Sequence, residues 1–318
     1  MKAAVVKSAD EPPVYADFDE PVDAVGHRLI DVSASALSRV ARAKAAGTHY
    51  SSKGTFPFVA GVDGAGRLED GQRVYFFGPR PPFGAMAECT LVPAEHCIAL
   101  PDAIDDATAA AIAIPAMSSW AALTERAKFA AGETVLINGA TGASGRLAVQ
   151  IAKHLGAKKV IATGRNEATL ASLQRMGADV TIPLVQDEGN LYRAFEQQFR
   201  EGVDVVLDYL WGPSARALLI AAAKATTDGH AVRFVQIGSI GGDEIALPGA
   251  VLRATAITLM GSGIGSVPLP RLLHVMSEVM HAVVPAGLQI PTEALPLAEI
   301  GEHWARADSL VRTVFVTG

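Results

Sequence analysis

The segment Val135-Leu-Ile-Asn-Gly139-Ala-Thr-Gly142-Ala-Ser-Gly145 constrains this chain more than any other. An apolar run stops at Asn138, seven residues of glycine, alanine, serine and threonine follow, and apolar residues resume at helical spacing through Leu155. A strand, a turn almost without side chains and a helix, in that order, open a βαβ unit. Strand-like runs recur at 160–163, 203–207, 231–237 and 256–260, and helical patterns lie at 146–155, 167–176 and 213–225. Apolar strands without polar alternation, separated by helices, predict an α/β domain built on a doubly wound parallel sheet covered on both faces.

The chain before Pro115 reads differently. Short apolar runs such as Arg28–Val32 and Arg73–Phe77 are separated by glycine and proline clusters, one of them Gly78-Pro-Arg-Pro-Pro-Phe-Gly84. The alanine-rich stretch from Asp105 to Ile114 marks a junction, and after Val283 a mixed pattern ends on a strand, 313–316. Two domains are expected: residues 1–114 completed by 283–318, and residues 115–282. With 318 residues, half of them hydrophobic and 19% charged, the chain has ample core for both. A net charge of −6 and no block of Lys or Arg argue against a nucleic-acid or membrane surface. The N-terminal stretch is too poor in apolar residues for a secretory signal, and Arg253 interrupts the longest apolar run considered, Pro248 to Pro268. Cys89 and Cys97 are too few for a disulfide framework or a four-cysteine zinc cluster and read as buried thiols. A cytoplasmic protein is expected.

The small residues have a chemical use. Between the first strand and first helix of a doubly wound sheet, glycine allows positive φ and close approach of a phosphate to the backbone. The free amides of Ala143, Ser144 and Gly145 then face the anion at the helix N-terminus, where the dipole also favours negative charge. Gly139, Thr141 and Gly142 complete this candidate pyrophosphate loop. Its spacing is G-x-x-G-x-x-G, and a glycine-rich helix entry without a ligand is the other reading. At the end of the next strand, where an NAD site places an acid, stand Gly164-Arg165-Asn166. Arg165 suits a 2′-phosphate, which an acid would repel, so NADPH is expected. Glu167 close by keeps NAD open, and a solvated surface arginine is the remaining alternative.

With these residues the chain resembles the medium-chain dehydrogenase/reductase superfamily, and within it the zinc-independent quinone oxidoreductases related to zeta-crystallin. The resemblance runs through Ser118-Ser-Trp-Ala-Ala-Leu123, Gly132 to Gly139, Leu155-Gly-Ala157, Met176-Gly-Ala-Asp179, Val203 to Asp208 and Val235-Gln-Ile-Gly-Ser239. In the first domain, Gly47-Thr-His-Tyr50 and Phe56 to Gly66 match the family's segments. The resemblance implies a Rossmann nucleotide domain inserted into a GroES-like β-rich catalytic domain. It implies that Ser118 lies near the nicotinamide, and that Tyr209, Leu210, Ile237, Gly238, Ser239 and Ser262 line its ribose and carboxamide. Where zinc-dependent members carry metal ligands this chain has Ala41, Val62 and Asp63, which implies no catalytic zinc. Three departures bear on the site: Ser38 where an Asn is common, no Lys in 166–170, and Leu184 in place of a Tyr.

Without a Lewis acid, hydride transfer suits acceptors that delocalise an electron pair, such as quinones and α,β-unsaturated carbonyls. Tyr50 is the candidate proton donor for the anion formed, with water as the alternative. An NADPH-dependent quinone or enone reductase is the leading reading. A non-catalytic NADPH-binding protein and an enoyl-thioester reductase are the others, and the latter lacks a basic patch for coenzyme phosphates. The apolar run Ala256–Met260, at the sheet edge in the family's topology, predicts a homodimer, unless the loop 262–270 covers that edge.

Overall fold

The computed structural model describes residues 1–48, 55–306 and 311–318. The chain forms two compact units: Met1–Ile114 with Met276–Pro285 and Gln289–Gly318, and Pro115–Val275 with Ala286–Leu288.

The first unit is rich in strands: β1 (Lys2–Val6), β2 (Val14–Asp17), β3 (His27–Ala36), helix α1 (Arg39–Ala45), β4 (Phe58–Val59), β5 (Asp63–Arg67), β6 (Arg73–Phe77), β7 (Cys89–Pro93) and β8 (Cys97–Ala99). Helix α2 (Asp106–Ala121) follows, and a π-turn over Ala122–Arg126 closes it. The junction expected in this stretch has no break in it, since α2 runs through the point where one unit gives way to the other. Its apolar character has a further consequence. The stretch Asp106–Arg126 is long and apolar enough to cross a membrane, a feature absent from the sequence reading; 72% of the relevant window is buried inside the protein. A helix surrounded by core on all sides is apolar on all sides.

The second unit alternates strand and helix: β9 (Thr134–Asn138), α3 (Ala143–His154), β10 (Lys159–Gly164), α4 (Glu167–Arg175), β11 (Val180–Pro183), α5 (Glu188–Glu201), β12 (Val205–Asp208), α6 (Gly212–Ala225), β13 (Ala231–Gln236), α7 (Val251–Ala254), β14 (Ala256–Gly261) and the first half of α8 (Leu269–Ala282), whose second half belongs to the first unit. The strand order is β11-β10-β9-β12-β13-β14, all parallel. This is the Rossmann arrangement, with the chain reversing its direction of travel between β9 and β12. Every residue of β9 and β12 is buried, because helices cover both faces of the central strands. Strand β11 and helix α5 are additions to the elements expected from sequence. α5 is largely polar and is held by Phe195 and Phe199, which are buried in a cluster that includes Leu218 and Leu219 of α6.

The chain ends with β15 (Thr292–Pro296), a short helix α9 (Ile300–His303) and β16 (Arg312–Val316). They complete the first unit, whose larger sheet runs β15-β16-β3-β5-β6-β8 with β7 on β3; β2-β1-β4 form a smaller one. This is the GroES-like β-rich arrangement. The two cysteines are half-buried rather than fully enclosed, and burial pushes the Cys97 thiol up to about 11.

Candidate dinucleotide-binding site

The loop after β9 is built from its glycines. Gly139 has φ +88°, and a Cβ there would lie 2.8 Å from the Leu210 side chain. Gly145 sits so close to the turn that a Cβ would come within 2.5 Å of the Gly139 carbonyl oxygen. Gly142 differs from both. Its φ of −80° and ψ of 171° suit any residue, and a Cβ would meet nothing within 4 Å. It is the N-cap of α3 and brings no side chain to the helix N-terminus.

The helical ladder starts with the Arg146 amide donating to the Gly142 carbonyl at 2.9 Å, so it leaves the amides of Ala143, Ser144 and Gly145 unused. An open face, free amides and a helix dipole together fit an anionic group. Thr141 carries the turn: its carbonyl accepts from Arg146 Nε at 3.1 Å. Its methyl leaves no room for a side chain at Gly164, where a Cβ would lie 2.3 Å away.

Arg165 follows directly, at the end of β10. It is exposed and, among the described residues, has no hydrogen bond or ion pair. Asn166, the next candidate, has a structural task in the described fold. Its Oδ1 accepts from the Thr169 amide at 2.9 Å and caps α4, so that oxygen is committed to the fold.

Of the remaining described candidates Ser118 lies in α2, and the others lie at the C-terminal ends of β12, β13 and β14. Tyr209 is buried, and burial pushes its hydroxyl up to about 12, against the opposing effect of Ser118 and Ser119 beside it. The structure thus brings Ser118 and Tyr209 together. Tyr209 is 7% exposed. Both serines donate to helix carbonyls, Ser118 Oγ to Pro115 at 2.7 Å and Ser119 Oγ to Ala116 at 3.1 Å.

Leu210 packs over Gly139. Ile237 and Gly238 donate their amides to the Asp208 carbonyl at 2.7 and 3.2 Å, and Ser262 donates its amide to the Gln236 carbonyl at 2.8 Å. Ser239 lies next to them, exposed. These strand-end loops are therefore stitched together by backbone bonds at the C-terminal end of the sheet.

Below these loops lies a buried polar network that sequence reasoning missed. Asn138, Thr163 and Asp208 are each fully buried at the ends of β9, β10 and β12. Burial raises the Asp208 carboxyl, and hydrogen bonds from Asn138, Leu210 and Trp211 hold it down. The available signal was a polar residue closing each apolar run.

In the first unit, Tyr50 lies outside the described residues. Ala41 and Val62 are buried. Asp63 is buried at the start of β5 and accepts from the Tyr75 hydroxyl at 3.1 Å. Ser38 caps α1 through its Oγ, which accepts from the Ala41 amide at 2.9 Å. Among the described residues no group of three or more His, Cys, Asp or Glu is placed to hold a metal ion.

Residues 143–282, from the N-terminus of α3 onward, match the family model described as zinc-binding dehydrogenase. A probable NADPH-dependent quinone reductase, tdiC of Emericella nidulans, is 28% identical over 97% of this chain and 98% of its own length. By these matches the chain is similar to the medium-chain dehydrogenase/reductase superfamily. Its backbone follows that of the quinone oxidoreductase of Thermus thermophilus, with a TM-score of 0.82 and 24% identity over 99% of this chain and 100% of the other. A Mycobacterium tuberculosis mycocerosic acid synthase-like polyketide synthase is 31% identical over 70% of the chain, which spans only 10% of that protein's length. Ala41 lies in α1, and Val62 and Asp63 at the entry to β5, both in the β-rich unit.

Proposed function

We propose that this protein is an NADPH-dependent, zinc-independent reductase that delivers hydride to a quinone or an α,β-unsaturated carbonyl. The observation that carries the reading is the pairing of an open anion cradle at the α3 N-terminus with an unpaired Arg165 at the end of β10. The named activities of relatives such as tdiC agree with it.

The amides of Ala143, Ser144 and Gly145 would hold the pyrophosphate, and Arg165 the 2′-phosphate, by charge-assisted bonds. Backbone at Tyr209, Leu210, Ile237, Gly238, Ser239 and Ser262 would position the nicotinamide half, with Ser118 beside it. Bound there, the nicotinamide supplies the hydride. Residues 115–282 serve as the nucleotide domain, and 1–114 with 283–318 as the substrate domain. Ala41 and Val62 offer no metal ligand, so the acceptor must delocalise the incoming electron pair itself. Tyr50 is the proposed proton donor, and Tyr50→Phe would leave turnover intact if water serves instead.

Strand β14 is proposed as the seam of a homodimer. Ala256, Thr258 and Leu259 are exposed on this edge strand, and the loop 262–270 does not bury them. Two unpaired, half-buried cysteines suit a reducing compartment, and we read the protein as cytoplasmic.

The test is NADPH oxidation against ortho-quinones, para-quinones and enones, with NADH in parallel. Turnover with at least one class, and preference for NADPH, is expected. Tight NADPH binding without turnover of any acceptor would favour a non-catalytic binding protein.

A further inference from the structure

Asp208 and Asn138 face each other in register on β12 and β9, the two strands between which the sheet changes direction. Ligands in doubly wound folds bind outside the strand ends at this place. The hydrogen bonds there form one directed chain. The Gly139 amide donates to Thr163 Oγ1 at 3.1 Å. The Thr163 hydroxyl gives its single proton to Asn138 Oδ1 at 2.7 Å. Asn138 Nδ2 donates to Asp208 Oδ1 at 2.8 Å, and also to Ser214 Oγ at 3.0 Å. Asp208 collects two more donors: the Leu210 amide at 3.1 Å to Oδ1, and the Trp211 amide at 3.2 Å to Oδ1 and 3.1 Å to Oδ2.

Three features give this chain a purpose beyond filling a core. Every group facing Asp208 in it is a donor, so only an acceptor-only carboxylate satisfies all of them. The Asn138 amide can take one orientation only, because its oxygen faces a hydroxyl proton and its nitrogen a carboxylate. Trp211, whose amide Asp208 holds, has φ +55° and ψ −152°, a conformation that costs an L-residue energy and persists only where neighbours enforce it. One end of the chain is the turn of the phosphate loop at Gly139. The other end is the loop Leu210–Trp211 that follows β12.

We infer that Asp208 is a positioning residue that fixes the nicotinamide-side loop at Leu210–Trp211 relative to the phosphate loop at Gly139, acting through Asn138 and Thr163. The inference rests on the dinucleotide reading proposed above. Asp208 itself reaches no ligand; it sets the distance between two loops that do. Its loss therefore damages a ligand that spans both loops and spares a ligand that occupies one.

The experiment compares two probes, NADPH and adenosine 2′,5′-bisphosphate, which carries the adenine half alone. Asp208→Asn keeps the volume but replaces one acceptor oxygen with a donor. It should weaken NADPH by about tenfold or more, the equivalent of one bond to a charged acceptor. The bisphosphate should bind as it does to the wild type, and kcat with a quinone should fall. Thr163→Val, nearly isosteric, cuts the chain at the phosphate-loop end and should weaken both probes equally. Urea unfolding checks that each variant is folded. If Asp208→Asn does not fold, Thr163→Val decides, and unchanged affinity for both probes overturns the inference. Equal loss of both probes in a folded Asp208→Asn, or loss of neither, also overturns it. Failure of the wild type to bind NADPH at all would instead overturn the proposed function.

Discussion

Gly142 separates what the proposed phosphate loop needs in order to fold from what it needs in order to bind. Its backbone angles are ordinary, and an added Cβ meets nothing within 4 Å. Alanine is a somewhat poorer N-cap than glycine, so Gly142→Ala should cost less than about 1 kcal/mol of stability, and Gly142→Ser should gain a few tenths. Both put a carbon where a phosphate must come within hydrogen-bond reach of the amides of Ala143 to Gly145. Losing one charge-assisted bond costs about 1.5–3 kcal/mol, which is roughly 10- to 150-fold in the dissociation constant for NADPH. Gly145→Ala is the contrast. Its Cβ would fall 2.5 Å from both the Gly139 oxygen and Ala140 Cα, both of them backbone atoms. Overpacking of that kind costs about 1–3 kcal/mol, and the helix preference of alanine offsets it by at most about 1 kcal/mol. Urea unfolding and NADPH fluorescence titration on the three variants give both quantities. A Gly142→Ala protein that binds NADPH like the wild type would refute the reasoning, because the anion would then not approach this face. A Gly142→Ala protein destabilised as much as Gly145→Ala would refute the geometry itself.

Arg165→Ala should raise the NADPH dissociation constant by about tenfold or more while leaving NADH almost unaffected, and equal losses would remove Arg165 from the 2′-phosphate. Burial pushes the Asp63 carboxyl up to about 7, against the pull of Arg312 and of the Tyr75 hydroxyl. The folded protein thus keeps a proton that the unfolded chain releases above 3.8, so the contribution of this group is fully present below about pH 4 and is lost as pH rises through about 7. Urea unfolding across that window should show the slope in the wild type and a flatter one in Asp63→Asn; identical slopes would mean that Asp63 is ionised throughout. Leu259, 39% exposed on the β14 edge, is the place to test assembly. Leu259→Lys should shift a dimer to monomer in light scattering with no loss of secondary structure, since a charged edge resists pairing, and an undisturbed dimer would place the seam elsewhere.

Much of the second unit was legible in the sequence because its signals are local. An apolar strand buried on both faces shows no alternation, a helix shows its period, and a turn that must approach an anion is written in small residues. Strands β9, β10, β12, β13 and β14, the glycine-rich turn after β9 and the place of Arg165 at the end of β10 follow from such short-range patterns. Helix α5 was not legible, because its polar sequence is held by two phenylalanines whose burial depends on α6. The long apolar stretch of α2 has the composition of a membrane span, and only the surrounding core shows where its surface goes. Asn166 was read only for a cofactor, and its cap on the Thr169 amide shows only in the structure. Asp208 and Asn138 are 70 residues apart and meet only because β9 and β12 pair in parallel register. Local pattern determines which residues form strands, turns and helices. Which polar residues share a buried network is decided by register across the sheet, a long-range property that no window of sequence contains.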